Sequence, residues 1–261
     1  MSRAKTMRTE CGDDLLDGEI SLVGRVMPAS NATFVGTIGE VQVVYKPVAG
    51  ERPLWDFPDG TLAGREVASY AVSEALGWGV VPTTILRDGP HGTGMVQRWM
   101  EPDEDEAAVD IVPTGEVPAG FLHVIDALGP DDEPVALVHE DTDGLRRMAI
   151  FDVLVNNGDR KGGHVLATPD GRRYGVDHGV SFHVENKLRT VLWGWVGQRL
   201  RDDERAAVQA VRDDADLHER LGELISDLEV LAFRRRCQRL LDRGRFPSPS
   251  SQWPSIPWPA F

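Results

Sequence analysis

The segment Asn156-Asn157-Gly158-Asp159-Arg160-Lys161-Gly162-Gly163-His164 gathers a carboxylate, two cations and an imidazole within nine residues. A second carboxylate, Asp177, follows Asp159 by 18 positions, in Val176-Asp177-His178-Gly179. Between them, Val165–Thr168 and Arg172–Asp177 flank the turn Pro169-Asp170-Gly171, which predicts a β-hairpin. Counting register around that turn sets Thr168 opposite Arg172, Leu166 opposite Tyr174 and His164 opposite Val176. Asp159, His164 and Asp177 then converge at the open end of the hairpin. Carboxylates and an imidazole at such a mouth can hold a cation, and the flanking glycines let a bulky anion approach the backbone. Taken singly, Asp159 or Asp177 also suits a polar turn, and His164 suits a hydrogen-bonded structural role.

Only four of the 28 basic residues are lysines: Lys5, Lys46, Lys161 and Lys187. In a chain that otherwise uses arginine, a lysine marks a place for a compact ammonium. Lys46 closes the β-branched run Val41-Gln42-Val43-Val44-Tyr45-Lys46, and the next predicted helix carries Glu66 in its first turn, with Glu74 as an alternative. A strand lysine paired to a helical glutamate is an arrangement that holds nucleotide phosphates. A surface lysine at a strand end, and an acid placed for the helix dipole, are the plain alternatives.

Together these residues resemble the phosphatidylinositol 3-/4-kinase-like branch of the protein-kinase-like superfamily, including its small bacterial members. The match is Lys46 in a strand, Glu66 in the next helix, Gly158-Asp159-Arg160, and Asp177-His178-Gly179. The resemblance implies an α+β, two-lobed protein-kinase-like fold with a strand-rich first lobe and a mainly helical second. It implies that Asp159 orients or deprotonates an acceptor hydroxyl, Arg160 supports the loop, and Lys161 neutralises charge on the transferred group. Lys46 and Glu66, with Ser30, Asn31 and Thr33 above the phosphates, would bind ATP or GTP. Gln97 to Met100 would face the base, with Trp99 and Met100 as apolar contacts. Asp177 would hold Mg²⁺ or Mn²⁺. Two positions depart from the family pattern. His164 stands where an Asn usually makes the second metal contact, and imidazole suits transition metals better than magnesium. His178 replaces the Phe of the metal motif. The family's acceptor-selecting region corresponds to 180–189, where Lys187 and Arg189 could meet an anionic substrate. Trp193 and Trp195 beyond it could dock a flat or apolar substrate, with ordinary core packing as the plainer reading.

The elements needed to position these residues are legible as patterns. Residues 19–48 read as strands around a small polar loop at 27–34. Leu62–Leu76 reads as a helix with Val67, Tyr70, Ala71 and Leu76 as its apolar stripe, ended by Gly77 and Gly79. Short strands are predicted at Thr83–Leu86 and Gly94–Trp99. Glu101–Gly120 reads as a solvated linker and Phe121–Leu128 as a short helix. Leu145–Val155 is a helix stopped at Asn156-Asn157-Gly158. Helical spacing from Asp202 to Arg243 predicts a core of Val208, Val211, Leu217, Leu221, Leu224, Leu228 and Leu231. The division expected is a nucleotide-binding lobe at 14–100, a catalytic and metal-binding lobe at 101–245, and a Pro/Trp-rich tail at 246–261. That tail is either docked through Trp253 and Trp258 or disordered.

The 261 residues carry 42 acids and 28 bases, a net charge of −14. From Trp99 to Leu145 there are 14 acids and no Lys or Arg, so the excess is local. Residues 159–199 carry seven bases and four acids, which suits phosphates. The overall charge argues against nucleic acid and anionic membrane as partners. No apolar run reaches bilayer length, and the N-terminal residues have no signal-peptide core. Two cysteines, Cys11 and Cys237, exclude a disulfide framework and fit a cytoplasmic setting. The expected function is metal-dependent transfer of a γ-phosphoryl group to a hydroxyl of a soluble small molecule or protein, autophosphorylation included. The alternatives are a metal-dependent phosphohydrolase using Asp159, His164, Asp177, His178 and His183, and a pseudokinase acting as a binding module.

Overall fold

The computed structural model describes residues 14–26, 31–52, 54, 56–57, 61–250 and 254–261. Ser30, Trp253 and Cys11, singled out above, lie outside the described residues. The protein is α+β, with an antiparallel-sheet first part and a helical second part.

Strands β1 (Ile20–Arg25), β2 (Phe34–Ile38), β3 (Val41–Pro47), β4 (Thr84–Gly89) and β5 (Gly92–Arg98) form one antiparallel sheet in the order β1-β2-β3-β5-β4. Alternation along β3 sends Val43 and Tyr45 into a small core with Ile20, Ile38 and Val96, and turns Lys46 to the opposite face. Helix α1 (Leu62–Leu76) follows β3, capped by the Thr61 hydroxyl and closed by Gly77 at φ 69°. Of its expected stripe only Leu76 is fully buried. The helix is instead covered nearly all round, with Ala68 and Val72 in the main core and Arg65 and Glu66 buried as well. A stripe assumes a helix with one wet face, and α1 is packed between the sheet and the later helices.

Residues 101–140 depart most from expectation. Strands β6 (Val109–Pro113), β7 (Phe121–Leu128) and β8 (Pro134–Glu140) form a separate antiparallel sheet in the order β6-β8-β7. Phe121–Leu128 is therefore a strand, and part of the expected linker is one too. An eight-residue apolar piece fits either period, and cross-strand pairing with β8 decides it. The acids here also have work. Glu106 and Glu140 bind Arg173 at 2.6 and 2.9 Å, and Asp141 accepts from the Trp195 indole at 2.9 Å.

Helix α2 (Asp143–Val155) carries Leu145, Met148, Phe151, Leu154 and Val155 into the main core, as its spacing predicts. It ends at Asn156, in the left-handed region at φ 57°. Strands β9 (Val165–Ala167) and β10 (Arg173–Gly175) form the hairpin, with Leu166 opposite Tyr174. Backbone bonds continue that register to Thr168–Arg172 and His164–Val176, as counted from the turn. Helices α3 (Asp202–Asp213), α4 (Ala215–Gly222) and α5 (Asp227–Arg243) complete the second part. Leu228 and Leu231, expected in the core, are exposed. A capping box of Ser226 and Glu229 starts α5 afresh, so the apolar phase resets to Val230, Phe233, Cys237 and Leu240. Among the described residues, no helix is long and apolar enough to cross a membrane.

The tail docks, though not through Trp258, which is 85% exposed. Ala260 accepts a hydrogen bond from the Gly162 amide at 2.8 Å, and Ser255 accepts from Thr190 N and the Trp193 indole. Phe261 lies flat enough on Gly162 that a Cβ there would fall 2.3 Å from its ring. Gly162 is thus required by close approach.

Candidate active site

The loop after α2 is organised by a carboxylate at its floor. Asp152 is fully buried and accepts from Arg160 Nη2 at 2.9 Å, Arg160 Nε at 3.1 Å, Asn157 Nδ2 at 3.0 Å and Thr190 Oγ1 at 3.3 Å. The other edge of the Arg160 guanidinium donates to the carbonyls of His164 and Val176. One buried arginine therefore ties both ends of the hairpin to α2. Asn157 Oδ1 accepts from Asp159 N at 3.0 Å, which turns the Asp159 carboxylate outward. Asp152 is the site residue that sequence reasoning missed. Its signal was an acid set in the apolar run Ile150-Phe151-Asp152-Val153-Leu154.

Across from this loop, Lys46 Nζ bonds Glu66 Oε1 and Asp177 Oδ1, each at 2.8 Å. Glu66 uses its second oxygen to accept from His178 N at 2.8 Å, which fixes the backbone beside Asp177. Glu74 is exposed and takes no part. Asp177 itself lies in the left-handed region, φ 61°, a conformation held by its surroundings in exchange for aiming the carboxylate. Burial works against the Lys46 ammonium, but Asp177 and Glu66 outweigh it and raise its pKa. Lys46 in turn holds Asp177 well below the usual carboxylate range against the cost of burial. Burial pushes Asp159 upward, with Lys161 at 3.5 Å and His164 opposing.

The two histidines differ. Nδ1 of His164 lies 2.9 Å from the Asp159 carbonyl oxygen, which only accepts, so Nδ1 carries the proton. Nε2 is then a lone pair, and it faces Asp177 Oδ2 at 3.5 Å. Burial depresses the His164 pKa, which keeps the ring neutral. Two acceptors that face each other with no proton between them suit a cation, and a histidine held through its other nitrogen is the usual ligand geometry. Among the described residues, no group of three or more His, Cys, Asp or Glu side chains forms a metal cluster. His178 is fully buried, and its Nε2 accepts from Arg160 Nη2 at 2.6 Å, which removes it from any ligand set. His183 accepts from Glu185 N at 3.0 Å, in contact with the Phe57 ring.

Two cavities meet at Lys46 and Asp177. One, of about 500 Å³, is walled by Thr33, Val44, Gln97, Trp99, Met100 and Leu166. The other, of about 490 Å³, is walled by Leu62, Gly179, Val180, Asp159 and Arg189. Asn31 lines both, and its carboxamide oxygen accepts from Arg52 N. Lys161 and His164 line the first. Gln97 is buried and bonded to Thr84 Oγ1, so its side chain is spent on the sheet. Lys187, expected to face an anionic acceptor, is instead buried and paired with Asp56 at 2.7 Å. Arg189 donates Nε to the Gly158 carbonyl at 2.6 Å.

An antiparallel sheet joined to a helical layer, with a lysine–carboxylate set between two cavities, defines the class of site. Among solved structures, the chain is similar to that of a Helicobacter pylori proinflammatory kinase, CtkA. That likeness has a TM-score of 0.47 and 12% identity, over 87% of this chain and 93% of the other. No family model matches the sequence. The chain is 50% identical over 273 aligned positions to Protein Rv2133c of Mycobacterium tuberculosis, covering 99% of this chain and 98% of the relative. It belongs to the family of that protein.

Proposed function

We propose that the protein is a kinase that transfers the γ-phosphoryl group of a nucleoside triphosphate to a hydroxyl. The observation that carries this reading is Lys46, bonded at 2.8 Å to both Glu66 and Asp177 where the two cavities meet. An ammonium fixed between a helical and a loop carboxylate is positioned to receive phosphate oxygens. The cavity beside Trp99 and Met100 takes the base, and the cavity beside Asp159 takes the acceptor. The order Lys46, Glu66, Gly158-Asp159-Arg160, Asp177 supports a member of the phosphatidylinositol 3-/4-kinase-like branch, drawing on cytoplasmic nucleotide. Asp177 and His164 are the residues that would hold Mg²⁺ or Mn²⁺, and a bound divalent ion would offset charge on the phosphate oxygens.

Asp159 accepts the proton of the acceptor hydroxyl. The oxygen so freed forms a bond to the γ-phosphorus while the bond from that phosphorus to the bridging oxygen breaks, and the nucleoside diphosphate carries away the bonding pair. Lys161, 3.5 Å from Asp159, stabilises the charge gathered on the transferred group. Arg160 acts only through position. The hydrolase alternative loses support because the His178 lone pair is taken by Arg160.

The test is incubation with γ-labelled ATP or GTP, with Mg²⁺ or Mn²⁺ and a panel of hydroxyl acceptors. Label transfer is expected to fall by about a hundredfold or more in Lys46→Met and Asp159→Ala. Undiminished transfer in both variants overturns the assignment. Release of free phosphate that is indifferent to Lys46→Met favours hydrolysis instead.

A further inference from the structure

A third cavity, of about 370 Å³, lies away from the Lys46 site, between α5 and residues 184–193. Its lining contains Arg236, Arg239 and Arg243 and no carboxylate. The spacing of the arginines, three and four residues apart, stacks them along one face of α5. A stripe of exposed arginines is ordinary, but Arg236 is not exposed. It is 5% accessible, and no ion pair forms at any of the three among the described residues. Arg236 Nε donates to the Leu154 carbonyl at 2.7 Å and Nη1 to the His183 carbonyl at 3.1 Å. Its Nη2 is buried with no hydrogen-bond partner.

A buried guanidinium with no carboxylate in contact is costly, since Glu229 acts on Arg236 only at a distance and is already paired with Arg65, and an unmet donor adds to the cost. Burial lowers its pKa to about 9, still above neutrality, so the charge persists. The same sequence solves this problem elsewhere with acids. Arg65 has Glu229, Arg146 has Glu204 and Arg160 has Asp152. Among the described residues, Arg236 is a deeply buried arginine that lines a cavity and has no carboxylate in contact.

We propose that this cavity binds the phosphate group of a small molecule, with Arg236 in its wall and the exposed Arg239 and Arg243 at its rim. Phosphate fits better than carboxylate. It carries about −1.5 to −2 charge at pH 7 and three acceptor oxygens, against the positive charges of three arginines. Trp193 is half-buried in the wall and offers a flat face, and Asn186 and Ser248 offer polar contacts to a hydroxylated body. The volume suits a small ligand, within the usual range for such sites. The site is distinct from the catalytic cleft and does not depend on the kinase reading. The two share a wall, however. In the segment 179–189, Gly179, Val180 and Arg189 face the catalytic cavity, while Val184, Asn186 and Leu188 face this one.

Isothermal titration with inorganic phosphate and with glucose 6-phosphate, against chloride at matched ionic strength, tests the proposal. Both phosphates are expected to bind saturably to the full chain. The double variant Arg239→Gln/Arg243→Gln changes exposed residues and should fold, and it is expected to weaken binding by about tenfold or more. The component of binding that the double variant removes should persist in Leu122→Ala, a change remote from the three arginines. Tighter binding of glucose 6-phosphate than of phosphate identifies a phosphomonoester as the ligand; equal binding identifies free phosphate. Loss of that component in Leu122→Ala, or binding that is unaltered in the double variant or matched by chloride or citrate, overturns the proposal. So does capture by anionic vesicles through the same arginines without any binding of soluble phosphate.

Discussion

Replacing Asp152 by asparagine keeps the shape of the side chain and removes the counter-charge of Arg160. Both groups of that pair are inaccessible to solvent. One oxygen becomes an amide that turns N–H toward the N–H groups of Arg160, now 2.9 and 3.1 Å away. Breaking a buried pair from one side leaves an uncompensated charge and typically costs about 3–5 kcal/mol. For a chain of this size that corresponds to a fall in Tm of roughly 6–20 °C. Urea unfolding followed by circular dichroism measures it, with the midpoint moving and the slope unchanged. A second arm removes the stranded charge. Arg160→Met in the Asp152→Asn background should recover part of the loss, because the two changes are not additive. The loop ends at His164 and Val176 also lose an anchor, so nucleotide binding should weaken alongside stability. A loss under about 1 kcal/mol, or a double variant as unstable as the sum of the singles, refutes the claim that this pair holds the loop.

Three further outcomes follow from the packing. Gly162→Val sets a side chain where Phe261 now lies, so it should release residues 254–261, read as faster proteolysis of the tail, and Phe261→Ala should relieve the clash in the same chain. Leu231→Lys should change stability by no more than about 0.5 kcal/mol, whereas Phe233→Ala, two residues away and fully buried, should cost about 3–5 kcal/mol in the same urea assay. His139 accepts from Gly194 N on Nε2 and lies against the Glu140 carbonyl through Nδ1, so it is folded as the neutral ring, and burial depresses its pKa. Its contribution is therefore complete above the unfolded value near 6.5 and is lost as pH falls below it, so His139→Gln should flatten the decline in stability between about pH 6.5 and 5, and an unchanged slope would count against this.

Local chemistry proved legible where it was set by short-range rules. The Pro169-Asp170-Gly171 turn fixed the hairpin register to the residue, because side-chain alternation leaves no half-steps. Asn156 stopped α2 because the left-handed cap is a property of a single residue. What escaped was decided at long range. Phe121–Leu128 pairs with a strand that also reads as apolar, and nothing in its own eight residues states that partner. Arg236 stands in the basic run Arg234-Arg235-Arg236, and nothing in that run marks one arginine as buried. Its burial depends on residues 183–193 folding over it from fifty positions upstream. The acidic stretch misled for a similar reason, since Arg173, which binds two of its acids, lies beyond its end.

The contact between Gly162 and residues 260–261 also bears on synthesis. The loop at Asp159–Gly162 receives a backbone partner from roughly a hundred residues later in the chain, so at about 5–20 residues per second that partner is made some 5–20 seconds after the loop. During that interval the Asp152–Arg160 anchor can already form, since both residues precede the hairpin. A nascent chain thus holds a loop that is anchored from below and open from above. Ribosome-bound chains stalled before residue 254 should show Gly162 accessible to exchange while Arg160 is protected.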